Sequence, residues 1–385
     1  MNKKVLAVAV SSALAAPMAA HAVKYKLSGQ VNRAMVYQND GENADIQFID
    51  NQSSGTRWRL TGSEDIGNGM KVGFNWEWQN SQNPGSPGTS INSADFGEAE
   101  TMRKAEVWFS GGWGKVSLGQ GDGAGNGTTE VDLSDTWNVA YTGRSSFGAA
   151  TAWRTGGGST ITGKGGVAPT TFKFDEDLPV AHTPNTNAAL THGATFSHFD
   201  AFSRYDRVRY DSPALGPVTI AVSAGQADRY EGAVRWSQGL GGGQISAGLF
   251  YGKDRSPGKG DPAKANVKNR YGGSIAYLFS FGTNLQGAYA ENEPDTAGSS
   301  KAKNWYLKVG HKWGNNAVSF GYGESKDVIA GFKDKGFNFG FNHNIPKAKV
   351  DLYAGFAGNS LDVPTGVTGV DDIYTVTVGT KLKFD

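Results

Sequence analysis

The 385-residue chain contains no cysteine. Disulfide bonds, cysteine-ligated metal sites and thiol catalysis are therefore excluded, and a closed fold must rely on backbone pairing and packing. An excess of charge of one sign is also missing, with 37 basic and 36 acidic side chains. A nearly neutral chain argues against nucleic acid as the partner.

Long apolar runs are scarce as well. After the N-terminal segment, charged or polar residues interrupt every apolar stretch before it reaches the ~20 residues of a membrane-spanning helix. The mean hydropathy of −0.43 resembles that of a soluble protein. A transmembrane β-barrel has the same signature, because half of each strand faces a wet lumen. Hydropathy alone therefore leaves a membrane location open.

The N-terminal segment has the layout of an export signal. Two lysines, Lys3 and Lys4, precede an apolar stretch over residues 5–20, and Ala20-His21-Ala22 provides a small-residue cleavage site. The apolar stretch is short for a membrane anchor. The sequence therefore predicts a cleaved signal peptide over residues 1–22 and an exported domain over residues 23–385.

Glycine and aromatic residues are abundant. Glycine accounts for 55 of the 385 residues, roughly twice its usual share of about 7%, and aromatics make up 11% of the chain. Disordered chains are poor in aromatic residues, so this composition does not indicate disorder. It is typical of many short strands joined by tight turns, with aromatic girdles at membrane interfaces.

The C-terminal stretch alternates strictly between apolar and polar positions. Bulky apolar side chains occupy every second position except Thr380, namely Tyr374, Val376, Val378, Leu382 and Phe384. Small or polar residues lie between them. In a strand, the two sets point to opposite faces, one suited to lipid and the other to water. This pattern predicts a transmembrane strand.

Similar segments recur along the chain. We predict about sixteen strands, at residues 25–37, around 57–61, and at 70–78, 102–110, 115–120, 207–211, 218–225, 230–238, 244–251, 269–279, 283–291, 303–313, 317–323, 335–343, 347–356 and 371–385. Short turns rich in Gly, Asn and Pro alternate with long polar connections, as in outer-membrane barrels with short periplasmic turns and long outer loops. The predicted fold is all-β, a transmembrane antiparallel β-barrel.

The alternative fold is an exported β-sandwich, which would act as an adhesin or binding module. Sandwich strands also alternate between apolar and polar residues. Aromatic residues close to strand ends, such as Trp305 and Trp313, are more typical of the interface belts of a barrel.

One connection, from about Gly121 to Arg204, is much longer than the others. Long loops in compact domains are usually functional or disordered. It is rich in Gly, Thr and Ala and has an acidic patch near its start. We consider it the candidate constriction loop.

Four segments together resemble the Gram-negative general (non-specific) porins. They are SGQVNRA at 28–34, SGTRWRLTGSEDIGNG at 54–69, GWGKVSLG at 112–119 and VRYDSP at 208–213. The resemblance implies a homotrimer of 16-stranded barrels, each with its own pore narrowed by an inward-folded third outer loop. Two features differ from the family pattern: Asp385 follows the usually terminal Phe384, and the loop at 121–204 is longer.

Arginines are the candidate pore-lining residues. If Trp58 and Leu60 face lipid, Arg57 and Arg59 face the lumen. Arg207 and Arg209 face it likewise, because Val208 and Tyr210 take the outer face of their strand. Guanidinium groups stay charged in any such setting, so these side chains predict a basic ladder, unless they pair with nearby carboxylates.

Arg103 is ambiguous. The family resemblance implies a lumen position, whereas simple alternation places it outside with Val107 and Phe109. A bulge or a subunit contact would reconcile the two. Arg33, between Val31 and Met35, raises the same question.

Glu130, Asp132 and Asp135 lie early in the long loop. If the loop folds inward, these carboxylates would face the arginines and create a transverse field across the pore. Such a field orients water and polar solutes, and charged rings set ion preference. The alternative is a solvated patch on the outer surface.

No motif indicates an enzyme or a cofactor site. The glycines at 121, 123, 125 and 127 fit no phosphate-binding loop, and His182, His192 and His198 fit no familiar metal-ligand spacing. The sequence therefore predicts an outer-membrane porin that lets small hydrophilic solutes and ions diffuse passively, with no cofactor and no catalysis. A substrate-selective channel on the same fold is the alternative.

Overall fold

The computed structural model describes residues 23–82, 98–144, 147–155, 174–175, 178–179, 190–226, 228–255, 267–295, 300–363 and 369–385. The predicted signal peptide, His182 and parts of the predicted long connections lie outside the described residues. None of the helices within these ranges is long and apolar enough to span a membrane.

Most of the described chain is β-strand. The strands are β1 Lys24–Asn39, β2 Ala44–Asp50, β3 Arg57–Gly67, β4 Met70–Gln82, β5 Glu98–Gly111, β6 Gly114–Asp122, β7 Phe174–Asp175, β8 Leu178–Pro179, β9 Arg204–Asp211, β10 Val218–Gly225, β11 Tyr230–Leu240, β12 Gly243–Asp254, β13 Val267–Leu278, β14 Thr283–Pro294, β15 Ala302–Trp313, β16 Asn316–Lys326, β17 Lys333–Ile345, β18 Val350–Asp362 and β19 Ile373–Phe384. One short helix, α1, spans His192–Thr195, and 3₁₀ turns span Gln52–Ser54 and Pro346–Ala348.

All of these strands except β7 and β8, which pair with each other, form one closed antiparallel sheet with sixteen positions around the barrel. From β3 onwards, each strand of this sheet pairs with the next one along the chain, β6 pairs with β9, and β1 pairs with β19 to close the cylinder. β2 and β3 pair with successive parts of β1 and so share one position. Closure leaves no strand edge exposed to lipid, where an unpaired backbone group would be costly. The predicted fold class is confirmed.

Two strand predictions need correction. The predicted second strand lies within β3, but a further strand, β2, precedes it and was not predicted. The two are separated because Asn51 caps a 3₁₀ turn and Asp50 accepts a bond from the Thr56 N–H. The predicted fifteenth strand begins at Val350 rather than at residue 347. Pro346 starts a 3₁₀ turn there, and Lys349 adopts a left-handed conformation with φ of 53°.

A tight turn at residues 67–69 joins β3 to β4. Asn68 and Gly69 have φ of 54° and 71°. Positive φ at both central positions is the requirement of the hairpin turn whose twist matches the flanking strands, and Asn-Gly is its preferred sequence.

The outer surface of the barrel is apolar. The alternate side chains predicted to face lipid on β19, from Tyr374 to Phe384, are exposed, and Leu307 and Val309 are exposed on β15. Aromatic rings stack from strand to strand towards one end, including Phe337, Phe356 and Tyr374. This surface is suited to lipid contact.

A charge in the middle of this apolar surface should destabilise the barrel. Leu307 is 59% exposed near the centre of β15, so Leu307→Arg is expected to cost about 2–4 kcal/mol of unfolding free energy in lipid. Urea titration of the folded fraction in phospholipid vesicles measures the change.

Two controls accompany Leu307→Arg. Leu307→Phe keeps the position apolar and should unfold like wild type. His311→Arg lies on the same face near the strand end, where the cost falls to about 0–1 kcal/mol. Equal destabilisation at residues 307 and 311 would contradict the membrane placement of β15.

The described residues of the connection between β6 and β9, residues 123–203, fold into the barrel. It is the third connection at the end with the long loops, and we call it the constriction loop. Thr136 Oγ1 lies 2.6 Å from Ser319 Oγ on β16, and Lys381 on β19 donates to Asn138 Oδ1 at 2.8 Å. The described parts of the loop therefore pack against the inner wall.

Candidate functional site

A cluster of three guanidinium groups surrounds one carboxylate on the inner wall. Arg59 Nε donates to Glu77 Oε2 at 2.6 Å, and Arg103 Nε donates to Glu77 Oε1 at 2.7 Å. Arg57 Nη1 lies 3.9 Å from the same carboxylate. The Glu77 side chain is almost fully buried, whereas that of Arg59 is 44% exposed. Three positive charges against one negative charge leave a local surplus of two.

A β-bulge places Arg103 in this cluster. Glu77 pairs with Lys104, but the next residue, Trp78, pairs with Met102, so Arg103 is the extra residue of β5. Met102 is exposed on the outer face, while Arg103 contacts Glu77 and Lys104 Nζ contacts Asp122 Oδ2 at 2.5 Å. The bulge turns Arg103 to the same inner face as Lys104 and shifts the pairing register of the two strands by one residue.

Arg207 and Arg209 lie beside this cluster, on β9. Arg207 is buried, forms an ion pair with Glu106 and donates to the carbonyls of Gly119 and Asp122. Arg209 is partly exposed and donates to the Gly123 carbonyl and to Asp211. Arg207 therefore acts mainly in packing, and Arg209 is the more accessible of the two.

Two further cations were not anticipated from the sequence. Lys104 and Arg204 both contact Asp122. Strict alternation could have placed Lys104 on the inner face, because it shares that face with Glu106. We define the arginine wall as seven cations and the four carboxylates that contact them: Arg57, Arg59, Arg103, Lys104, Arg204, Arg207 and Arg209, with Glu77, Glu106, Asp122 and Asp211.

The acidic residues of the constriction loop lie away from the arginine wall. Asp132 accepts from Lys308 Nζ at 2.7 Å, and Asp135 pairs with Lys312. Both lysines lie on the inner face of β15. Glu130 lies 2.9 Å from His198 Nε2 within the loop. The structure thus brings the predicted arginines close to one another. The three predicted loop carboxylates instead contact two lysines of the opposite wall and a histidine of the loop.

A buried polar cluster fixes the returning limb of the constriction loop. Asp334 on β17 accepts from Arg144 Nη2 at 3.1 Å and from Thr195 Oγ1 at 2.8 Å, and it lies 2.8 Å from His192 Nδ1. The Arg144, His192 and Asp334 side chains are almost completely buried. Because a buried carboxylate is costly without partners, these contacts favour the inward position of the loop.

A corner of the constriction loop lies close to the arginine wall. The Trp137 indole Nε1 donates to the Ser53 carbonyl at 2.8 Å, and the Asn138 carbonyl accepts from Asn51 Nδ2 at 2.8 Å. The Trp137 ring stacks on Tyr141 with centroids 4.7 Å apart. This corner of the constriction loop therefore lies beside the arginine wall on the inner side of the barrel.

An apolar outer surface and a charged inner wall around a narrowed lumen define a transmembrane channel. The family model for Gram-negative porins matches residues 6–362. The chain therefore belongs to the Gram-negative porin family and is an outer-membrane porin. The resemblance stated from the sequence, the predicted channel function and the predicted outer-membrane location are confirmed.

Solved structures with the same fold include three porin-like barrels at low identity. The anion-selective porin from Comamonas acidovorans is 17% identical with a TM-score of 0.58, OmpT from Vibrio cholerae in its trimer form is 12% identical with 0.55, and a mutant of the Rh. blastica porin is 15% identical with 0.51. Each alignment covers 94% of this chain and 100% of the other. A comparison with curated protein sequences found no match.

Proposed function

We propose that this porin is a passive diffusion channel for small hydrophilic solutes that prefers anions, and that it catalyses no reaction. The observation that carries the proposal is the arginine wall, where seven cations contact four carboxylates. A surplus of fixed positive charge in a narrow aqueous pore raises the local concentration of anions. Arg57, Arg59, Arg103 and Arg209 are the side chains proposed to meet the solute.

Loop carboxylates have a secondary role in this proposal. Asp132 is buried against Lys308, so its charge is compensated, whereas the Asp135 side chain is 62% exposed. Asp135 pairs with Lys312, so it contributes only a weak negative potential on the side of the pore opposite the arginine wall. Glu130, paired with His198, stabilises the loop. The transverse field is therefore dominated by the arginines.

A homotrimer is part of the proposal. Arg33 lies between Val31 and Met35 on the outer face of β1, and its side chain is 41% exposed with Asp50 3.9 Å away. An arginine facing lipid at mid-membrane costs about 2–4 kcal/mol. A neighbouring subunit over this part of the barrel would remove that cost. We further propose that residues 1–22 are removed during export, leaving 23–385 as the barrel.

Planar-bilayer recording tests the proposed function. The purified protein is expected to produce stepwise conductance in KCl that rises with salt concentration without saturating. In a KCl gradient, the reversal potential should have the sign of chloride preference, because the positive surplus excludes K⁺ more than Cl⁻. Bilayers with detergent alone are the control. A reversal potential of the opposite sign would overturn the anion preference, and an absence of steps would overturn the open pore.

A further inference from the structure

The corner at Trp137 is rigidly positioned beside the arginine wall. The Ser53 carbonyl accepts the indole N–H, and Ser53 Oγ donates to the Asn138 carbonyl at 2.9 Å. Asn138 Oδ1 accepts from Lys381 on the far side. Three hydrogen bonds to the 3₁₀ turn and the barrel therefore fix the indole against the wall.

Arg57 is held by the next residue of the same turn. Its Nη2 donates to Ser54 Oγ at 2.9 Å, while Trp137 is bound to Ser53. An indole and a guanidinium are thus attached to adjacent residues of one turn. Arg57 belongs to the cluster in which three guanidinium groups share the carboxylate of Glu77, so a surplus of positive charge remains beside the indole.

Trp137 is partly exposed, and its ring contact within the described parts of the chain is with Tyr141, at an interplanar angle of 29°. Stacking of this kind occupies one face of the indole. A planar solute that passes between the loop and the arginine wall would stack on the other face.

The geometry points to a binding site for planar aromatic carboxylates in the constriction, and this inference rests on the proposed anion-preferring pore. The carboxylate would bind Arg57 and Arg103, whose guanidinium groups match its two oxygens. The ring would stack on Trp137. An aromatic carboxylate would gain stacking on the indole in addition to the charge interaction. A saturated ring of equal size and charge would keep the charge interaction but stack less well.

The test compares benzoate with cyclohexanecarboxylate as probes of KCl conductance in planar bilayers. Both are monovalent carboxylates at neutral pH and contain the same number of carbon atoms, but only benzoate is planar. With the purified wild-type protein, benzoate is expected to reduce the chloride current at a concentration about three- to tenfold lower than cyclohexanecarboxylate does. Acetate at equal concentration reports the effect of charge alone.

Variants of Trp137 separate stacking from loop anchoring. Trp137→Leu should remove the difference between the two probes, whereas Trp137→Phe, which lacks the N–H but keeps a ring, should preserve it. Trp236→Leu is the matched control, because Trp236 shares the outer face of β11 with Val234. That variant should behave like wild type towards both probes.

The outcomes distinguish the inference from the proposed function. Equal inhibition by benzoate and cyclohexanecarboxylate in wild type would overturn the aromatic site while leaving an anion-selective pore. A persisting difference in Trp137→Leu would place the selectivity elsewhere and also overturn it. Cation preference in KCl alone would overturn the proposed function instead. If Trp137→Leu does not insert, the wild-type comparison and Trp137→Phe still decide the question.

Discussion

Replacing Arg57, Arg59 and Arg103 together with Gln is expected to reverse the ion preference of the pore. The three guanidinium groups contact one carboxylate, Glu77, so the change turns a local charge of about +2 into −1. The reversal potential in a KCl gradient should change sign from chloride to potassium preference. Bilayer recording before and after substitution measures it.

Three comparisons sharpen this prediction. Lys at all three positions keeps the charge and should keep the anion preference. Adding Glu77→Gln to the triple Gln variant makes the cluster neutral, so its reversal potential should lie between wild type and the triple variant. Arg207 is left intact because it is buried against Glu106 and supports packing. An unchanged reversal potential in the triple variant would remove the assignment of these residues to the ion path.

Removing the charge of Asp334 is expected to release the constriction loop. Asp334→Asn leaves Arg144 and His192 buried without their anion. Breaking a buried ion pair from one side typically costs about 3–5 kcal/mol, because the remaining charge is uncompensated. We expect larger and noisier single-channel conductance, together with faster protease cleavage of the loop in the otherwise folded barrel.

Asp362→Asn is the matched control for this change. Asp362 contacts Lys333 and Lys335 on the adjacent strand, but its side chain is 47% exposed. Exposed ion pairs contribute at most about 1 kcal/mol, so the conductance and cleavage rate should stay near those of wild type. If Asp334→Asn behaves like Asp362→Asn, the buried cluster does not hold the loop.

Most of the barrel could be predicted from local pattern. The strand predicted over 218–225 coincides with β10, and the apolar residues predicted for the lipid face of β19 are exposed. Successive side chains of a strand point to opposite faces, so a period of two in the sequence is sufficient to predict which residues face lipid and which face the lumen. It fails where the period is interrupted, as at the 3₁₀ turn of residues 52–54 and at Arg103.

The partners of the charged residues could not be predicted in the same way. Asp132 and Lys308 are 176 residues apart in sequence, and Arg144 and Asp334 are 190 apart. Nothing in the local pattern of either segment indicates the other. The prediction that Glu130, Asp132 and Asp135 face the arginines, and that the arginines line the pore, stays a prediction, with the measured ion preference as its test.

By itself, the sequence determined that side chains along the strands alternate between lipid-facing and water-facing positions. It also determined that the chain closes into a cylinder of about sixteen strands and belongs with the porins. Those properties follow from neighbouring residues, because strand periodicity and turn chemistry act within a few positions. The tertiary structure alone decided the bulge that turns Arg103 inward, the turn that brings Trp137 beside Arg57, and the anchoring of the constriction loop. These depend on pairing between distant segments, which register and packing settle only when the barrel has closed.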